Sequence, residues 1–459
     1  MQRRELRQRL AVLDAAVAQL DTARDDLERQ RDPILRELAL ITYPVLTLPR
    51  EITTEVFMWF KANTIREDWI STRFAPLVLI RICRAWRDLA FSIQALWEAL
   101  PGLQLHTSPR VEQRLDEWFA HAGSRPLTLS MWDRTGAAME RILHKHAPRL
   151  GRLRLHTGTL DDFVAVPVFP ILSQLEIYSN RLINDNVQLF HANGAPALRH
   201  LSLTDVSVDW LVHTPWAQLT KLTLESVSLG EALETLRAAT ALVEFCCRSA
   251  RKDEESSLSL VHHSSITSFA IDTGEHDLDI LPLVTLPLLE CLQLGAVADH
   301  YAYSTEESMD STVLQFLERV STTLHRLILG VETAPLTWIL PLAQLTALEL
   351  LQFDTEIICA LDRRTSPETL PKLRTLALWY CPSSRVDDAL LGVLGSRCDG
   401  DRAHARLESF RLIWEAPTVD DLRDDLDISV GPGDQPLVNI LPLRALAARG
   451  MHIHIARDP

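Results

Sequence analysis

The side chains with the most chemical potential are histidines and cysteines in close pairs. His144 with His146, His262 with His263, and His452 with His454 could each offer two imidazole nitrogens to a metal ion. A zinc site needs three or four ligands at a recognisable spacing, and none of the pairs has a third or fourth nearby. Cys246 and Cys247 are adjacent, so in a strand one of them points inward as an inert thiol. The seven cysteines are an odd count with no Cys-x-x-Cys pair, which predicts free thiols in a reducing compartment. Gly392, Gly395 and Gly400 form neither a Gly-x-Gly-x-x-Gly turn nor a phosphate loop, and no Gly-Lys-Ser/Thr, His-Glu-x-x-His or Gly-x-Ser-x-Gly occurs. The acidic residues form no recognisable general acid–base pair. The expectation is a chain with no bond chemistry of its own: not an enzyme, with no catalytic residue, cofactor or metal.

What remains is binding, and the elements must supply the surfaces. Between Tyr43 and Leu100 the pattern is helical. Leu46-Thr47-Leu48-Pro49 leads into a helix from Pro49 to about Phe60, because a first-turn proline forfeits only an N–H that would have no partner. Glu51 in that turn favours the helix dipole, and Ile52, Val56 and Trp59/Phe60 follow at helical spacing. A polar stretch, 61–72, interrupts. A second helix starts near Pro76 and runs to Ser92, with Leu79, Ile82/Cys83, Trp86 and Leu89/Ala90 on one face and Arg81, Arg84, Arg87 and Asp88 on the other. Ala95-Leu96-Trp97 closes the module. A unit this small has more apolar surface than it can hide, and such units dock onto partners.

The ordered fragments LTLPREITTEVF, ICRAWRDLAF and LW resemble the F-box motif, in the F-box-like variety with a longer insertion between its helices. The resemblance covers residues 46–97. It implies binding to a Skp-type adaptor and, through it, to a cullin scaffold. Carried onto this sequence, it puts Leu46, Leu48, Pro49, Ile52 and Val56 at the adaptor surface, with Ile82, Cys83 and Trp86 joining or supporting them. Trp86 and Trp97 are also the natural core of so small a unit.

Downstream, 78 leucines in 459 residues find their use. An apolar-x-x-apolar-x-apolar segment recurs eleven times, centred on residues 153, 175, 201, 222, 245, 269, 292, 327, 348, 376 and 410. PLTLSM (126–131) and MHIHI (451–455) extend the series at either end. Helical fragments such as Ser311–Val320 and Val386–Leu394 lie between. The segments resemble leucine-rich repeats of a degenerate kind: where that family often carries Asn or Cys after the strand, this chain has Asn180, Val206, Val227, Val297, Phe353 and Cys381. The fold expected is α+β, an α/β solenoid with a curved parallel sheet over 101–459, behind a helical module at 43–100. In a solenoid the residues between the inward leucines form one concave face, which here offers Arg152, Arg154, Tyr178, His200, Lys221 and Trp379 to a target protein. The acidic run Glu415–Ser429 reads as solvated loop.

Residues 1–41 carry a heptad seam: Leu6, Leu13, Leu20, Leu27, Ile34 and Ile41, with Arg3, Leu10, Val17, Arg24, Arg31 and Leu38 as companions. Asp32-Pro33 reads as a cap and first turn that restarts the helix. The seam fits either a weak homodimer through a coiled coil or an amphipathic helix folded back on the chain.

A net charge of −15 disfavours a phosphate backbone, so no nucleic acid is expected. Asp14 interrupts the only candidate signal core, and Ile280–Ala298 contains Pro282, Pro287 and Glu290, so no membrane association is expected either. The address implied is cytoplasmic or nuclear. Together the two resemblances imply a substrate-recognition subunit of an SCF-type ubiquitin ligase; the alternative is a ligase-independent leucine-rich-repeat scaffold.

Overall fold

A computed structural model describes residues 2–40, 47–64, 75–104, 109–133, 136–157, 168–179, 193–206, 208, 213–250, 258–272, 277–295, 307–330, 335–351, 355–379, 388–398, 404–414 and 440–457. The chain has helices plus a large parallel sheet. It divides into two compact units: Met1–Trp97 with Ala120–Gly123, and Glu98–Phe119 with Ser124–Pro459.

The first unit is helical. Its first helix, α1 (Gln2–Leu40), is continuous and holds Pro33 inside. The restart expected at Asp32-Pro33 does not occur. Good helix formers on both sides, from Leu27 to Arg31 and from Leu35 to Leu38, carry the helix through the hydrogen bond that proline removes. The second helix, α2 (Arg50–Thr64), starts one residue after Pro49, whose carbonyl accepts the Thr53 N–H at 3.1 Å.

The helix expected from Pro76 to Ser92 is two helices, α3 (Leu79–Ile82) and α4 (Arg84–Ser92). The break is Cys83, whose backbone is extended and whose sulfur accepts the Trp86 N–H at 3.5 Å as an N-cap. Cys83 therefore starts a helix instead of sitting on a helical face, which the unbroken apolar spacing around it concealed. A short 3-10 turn, Gln94–Leu96, follows.

This unit closes its own core. Phe57 is fully buried and meets Trp86 edge-on, centroids 4.9 Å apart. Leu79, Ala90, Leu96 and Trp97 are buried as well. The Trp97 indole N–H donates to the Ala90 carbonyl at 2.9 Å, satisfying the polar atom that the ring buries. Its ring stacks on Phe91 at 5.1 Å, and His121 lies 4.7 Å from both rings.

Among the described residues the second unit has sixteen strands: β1 (Ala99–Gln104), β2 (Leu127–Asp133), β3 (Leu150–Thr157), β4 (Gln174–Ser179), β5 (His200–Thr204), β6 (Lys221–Glu225), β7 (Glu244–Arg248), β8 (Val261–His262), β9 (Ser268–Ile271), β10 (Val284–Thr285), β11 (Cys291–Leu294), β12 (Arg326–Leu329), β13 (Ala347–Leu350), β14 (Thr375–Leu378), β15 (Ser409–Trp414) and β16 (His452–Arg457). β8 and β10 pair with each other, and the other fourteen form one sheet in chain order. Every pairing in it is parallel, so each connection must cross back over one face. The crossovers include α5 (Pro109–His121), α6 (Gly136–His146), α7 (Leu229–Ala238), α8 (Glu307–Val320), α9 (Thr355–Ala360), α10 (Asp388–Arg397) and α11 (Ile440–Ala448). β1 begins within the range read as the helical module.

All eleven recurring segments, and both flanking ones, are strands of this sheet, and their centres are in register. Leu153 pairs with Leu175, Leu201 with Leu222, Phe245 with Phe269, Leu327 with Leu348, and Phe410 with Ile453. The central residues from Leu153 to Phe410 are all buried, because an apolar column over many strands shares one dry layer with the crossovers. Asp205, Ser226 and Ser249 follow β5, β6 and β7 in the left-handed conformation, at φ 55°, 60° and 49°. Short polar side chains tolerate that backbone. Val206 and Val227 then turn into the core, at places where the leucine-rich pattern often has Asn.

Candidate docking surfaces

Two surfaces collect the residues singled out in the sequence, one in each unit. The first lies on the helical module. α2 has two stripes. Thr53, Phe57 and Lys61 recur every four residues and face inward; Lys61 is buried, and its ammonium donates to the Ala95 carbonyl at 2.5 Å. Ile52, Val56 and Trp59 lie on the other side and are exposed. Leu48 before the helix and Ile82 at the end of α3 are exposed too, so these five apolar side chains keep 42–70% of their surface in water. Pro49 is exposed beside them, and Cys83 and Trp86 are half-buried. Leu46 lies outside the described residues.

A cleft of about 360 Å³ runs between α2 and α4, lined by Leu48, Thr53, Trp86 and Leu89 among others. The Arg50 guanidinium donates to the Ser92 hydroxyl at 2.7 Å and ties the start of α2 to the end of α4. Trp59, the most exposed of the five, was visible in the sequence as part of the helical spacing, but nothing there separated its stripe from the inward one.

The second surface is the face of the sheet opposite the leucine column. Arg152, Tyr178, His200 and Lys221 are exposed there, and Arg154 is half-buried. Two of these cations are already engaged. Arg154 meets Glu176 on the next strand at 2.6 Å, and the Gln174 amide donates to the same carboxylate at 2.7 Å. Lys221 meets Glu244 at 2.7 Å, and further along Arg326 meets Glu349 at 2.5 Å. The Thr204 hydroxyl donates to Glu225 at 3.1 Å. Arg154 with Glu176, Lys221 with Glu244 and Thr204 with Glu225 each join residues at the same register in adjacent strands, whereas Arg326 lies opposite Ala347 and reaches Glu349 diagonally. For Arg154–Glu176 and Lys221–Glu244 the signal in the sequence was opposite charges at matching offsets of consecutive segments.

The His156 and Tyr178 rings lie 5.4 Å apart on neighbouring strands. Trp379 is half-buried just after β14, and its indole N–H has no hydrogen-bond partner among the described residues. The structure thus brings Arg152, Arg154, Tyr178, His200 and Lys221 together over β3 to β6, and places Trp379 far along the sheet.

His144 and His146, His262 and His263, and Cys246 and Cys247 separate into an outward and an inward member, while His452 and His454 are both exposed on β16. His146 is buried against Asp116, Nε2 to Oδ1 3.2 Å, with burial pulling its pKa down against the pull of that carboxylate. His263 is buried with Nε2 2.9 Å from the Ala239 carbonyl, while His262 is exposed. Among the described residues no three of His, Cys, Asp and Glu gather as a metal site. Cys247 is buried and burial raises its thiol well above the usual range; Cys246 and Cys291 are raised for the same reason, so none is poised as a thiolate. No helix among the described residues is long and apolar enough to cross a membrane.

Compared with known proteins, the chain matches no family model and no curated sequence.

Proposed function

We propose that the chain is a substrate-receptor subunit of an SCF-type ubiquitin ligase. The observation that supports this reading is the exposed apolar surface of Leu48, Ile52, Val56, Trp59 and Ile82 on a module whose core is already closed by Phe57, Trp86 and Trp97. Full burial of one such side chain is worth roughly 1.5–3 kcal/mol, so five of them left in water amount to a substantial driving force for docking. Leu46, Leu48, Pro49, Ile52, Val56 and Ile82 meet the Skp-type adaptor; Cys83 and Trp86 hold the surface from behind. The adaptor links the chain to a cullin scaffold.

In this reading the fourteen-stranded sheet is a leucine-rich-repeat solenoid, and α1 is a coiled-coil arm. The polar sheet face is the concave side that holds a target protein through Arg152, Tyr178 and His200, with Trp379 further along. Arg154 and Lys221 keep the face ordered through their ion pairs. No residue of the chain makes or breaks bonds: holding the target beside a ubiquitin-charged enzyme raises its effective concentration, and that supplies the rate. The complex works in the cytoplasm or nucleus.

Co-purification tests the reading. The full chain should recover the adaptor and cullin, and Leu48→Asp with Pro49→Ala should abolish recovery while the sheet unit keeps its thermal transition. Recovery of neither protein by the unaltered chain overturns the proposal and leaves the ligase-independent scaffold.

A further inference from the structure

We propose that α1 pairs with α1 of a second copy of this chain as an antiparallel coiled coil. Leu10, Leu13, Val17, Leu20, Leu27 and Ile34 occupy the seam positions of successive heptads on α1, and each is 56–71% exposed. No described residue of the chain covers them. An exposed seam that is apolar from Leu10 to Leu20 and again at Leu27 and Ile34, along a helix about 58 Å long, is a surface that a second helix covers by knobs-into-holes packing.

Charge selects both the occupant and its direction. Residues 1–20 carry four arginines against Glu5 and Asp14, whereas residues 21–40 carry four arginines against six acids. A parallel pair would set Arg24 on Arg24 and Arg31 on Arg31 inside the seam, like charge on like, and would lay the two basic halves together. Reversing one helix removes both conflicts. With Val17 of one copy opposite Leu20 of the other, Leu10 falls opposite Leu27, and Arg24 falls opposite Leu13. The basic half of each helix then lies along the acidic half of its neighbour.

Arg24 is suited to that place. Its guanidinium lies 3.8 Å from Asp21, 3.4 Å from Asp25 and 4.0 Å from Glu28 on its own helix. Its stem can cover Leu13 of the other copy while the charge stays at the rim. A different partner would need a matching seam and the reverse charge gradient; the chain supplies both to itself.

Sedimentation equilibrium on the full chain, with disulfide trapping, tests this. The unaltered chain should dimerise reversibly. Leu13→Glu with Leu20→Glu, at exposed positions away from any core, should raise the dissociation constant about 100-fold or more. Chains with Leu10→Cys mixed with chains with Leu27→Cys should form the mixed disulfide. Leu10→Cys alone should trap no more than the unaltered chain does, because the two copies of that position lie about 25 Å apart in the antiparallel register. A monomer at every concentration, a dimer indifferent to the two glutamates, or efficient self-trapping of Leu10→Cys overturns the proposal. Should the glutamates unwind α1, the trapping result still decides.

Discussion

Arg397 ends α10 with its side chain fully buried, and its guanidinium donates to three backbone carbonyls: Leu361 at 2.6 Å, Thr369 at 2.7 Å and Leu370 at 3.0 Å. Replacing it with Met keeps the length and removes the charge, so two effects compete. Burial, helped by the like charge of Arg363, pulls the guanidinium from its ordinary 12.5 down to about 10. That depression corresponds to roughly 3 kcal/mol of unfavourable charge burial, which Met would relieve. Against it stand three charge-assisted hydrogen bonds, worth roughly 1.5–3 kcal/mol each. The bonds win, and Arg397→Met should lower stability by roughly 2–5 kcal/mol. Arg397→Lys should also lower it, since one ammonium cannot reproduce a planar fork aimed at three carbonyls. Urea denaturation of the full chain, followed by tryptophan fluorescence, reads the change as a lower midpoint. A Met variant as stable as the unaltered chain, or more so, would show that relief of charge burial outweighs the bonds.

Three further outcomes follow from particular contacts. Leu222 is fully buried between Leu201 and Phe245 in the strand column, so Leu222→Ala should lose about 2–5 kcal/mol by urea titration, and Leu222→Met less than about 1.5 kcal/mol. Gly295 sits at φ +91°, and a Cβ there would lie 2.7 Å from the Gly330 carbonyl carbon. Gly295→Ala should therefore cost about 2–4 kcal/mol, visible as a lower thermal midpoint, whereas a Thr322→Ser control at an exposed position should barely move it. His146 is held neutral by burial, so the folded form resists a proton that the unfolded chain accepts near its ordinary 6.5. Its contribution is complete above that pH and is lost as pH falls below it, and His146→Gln should flatten the decline in thermal midpoint between neutral pH and about pH 5.

The sheet was legible because one short pattern repeats with its apolar residues at fixed offsets, and each offset becomes a buried column. β1 was not, since Pro101 and Gly102 break the pattern and its register shifts between Leu100 and Leu103. Cys83 was missed for the opposite reason: the helical spacing runs through it unbroken, and only a sulfur cap and an extended backbone divide the helices. Of the candidate surfaces, helical spacing grouped Ile52, Val56 and Trp59 on α2, but their exposure became visible only once Phe57 and Lys61 were seen to face inward. The sheet-face ion pairs were harder, because Arg154 and Glu176, or Lys221 and Glu244, are more than twenty positions apart and meet only once the register is known. The buried Arg397 had no signal, as an arginine in a last helical turn is ordinarily solvated.

The central claim is that the exposed stripe on α2 binds a Skp-type adaptor. Titration calorimetry of the purified full chain with the purified adaptor tests it most directly. The account predicts saturable binding that is lost in Ile52→Asp and retained in Arg152→Ala, which alters only the sheet face. No binding by the unaltered chain, or binding unaffected by Ile52→Asp, would contradict it.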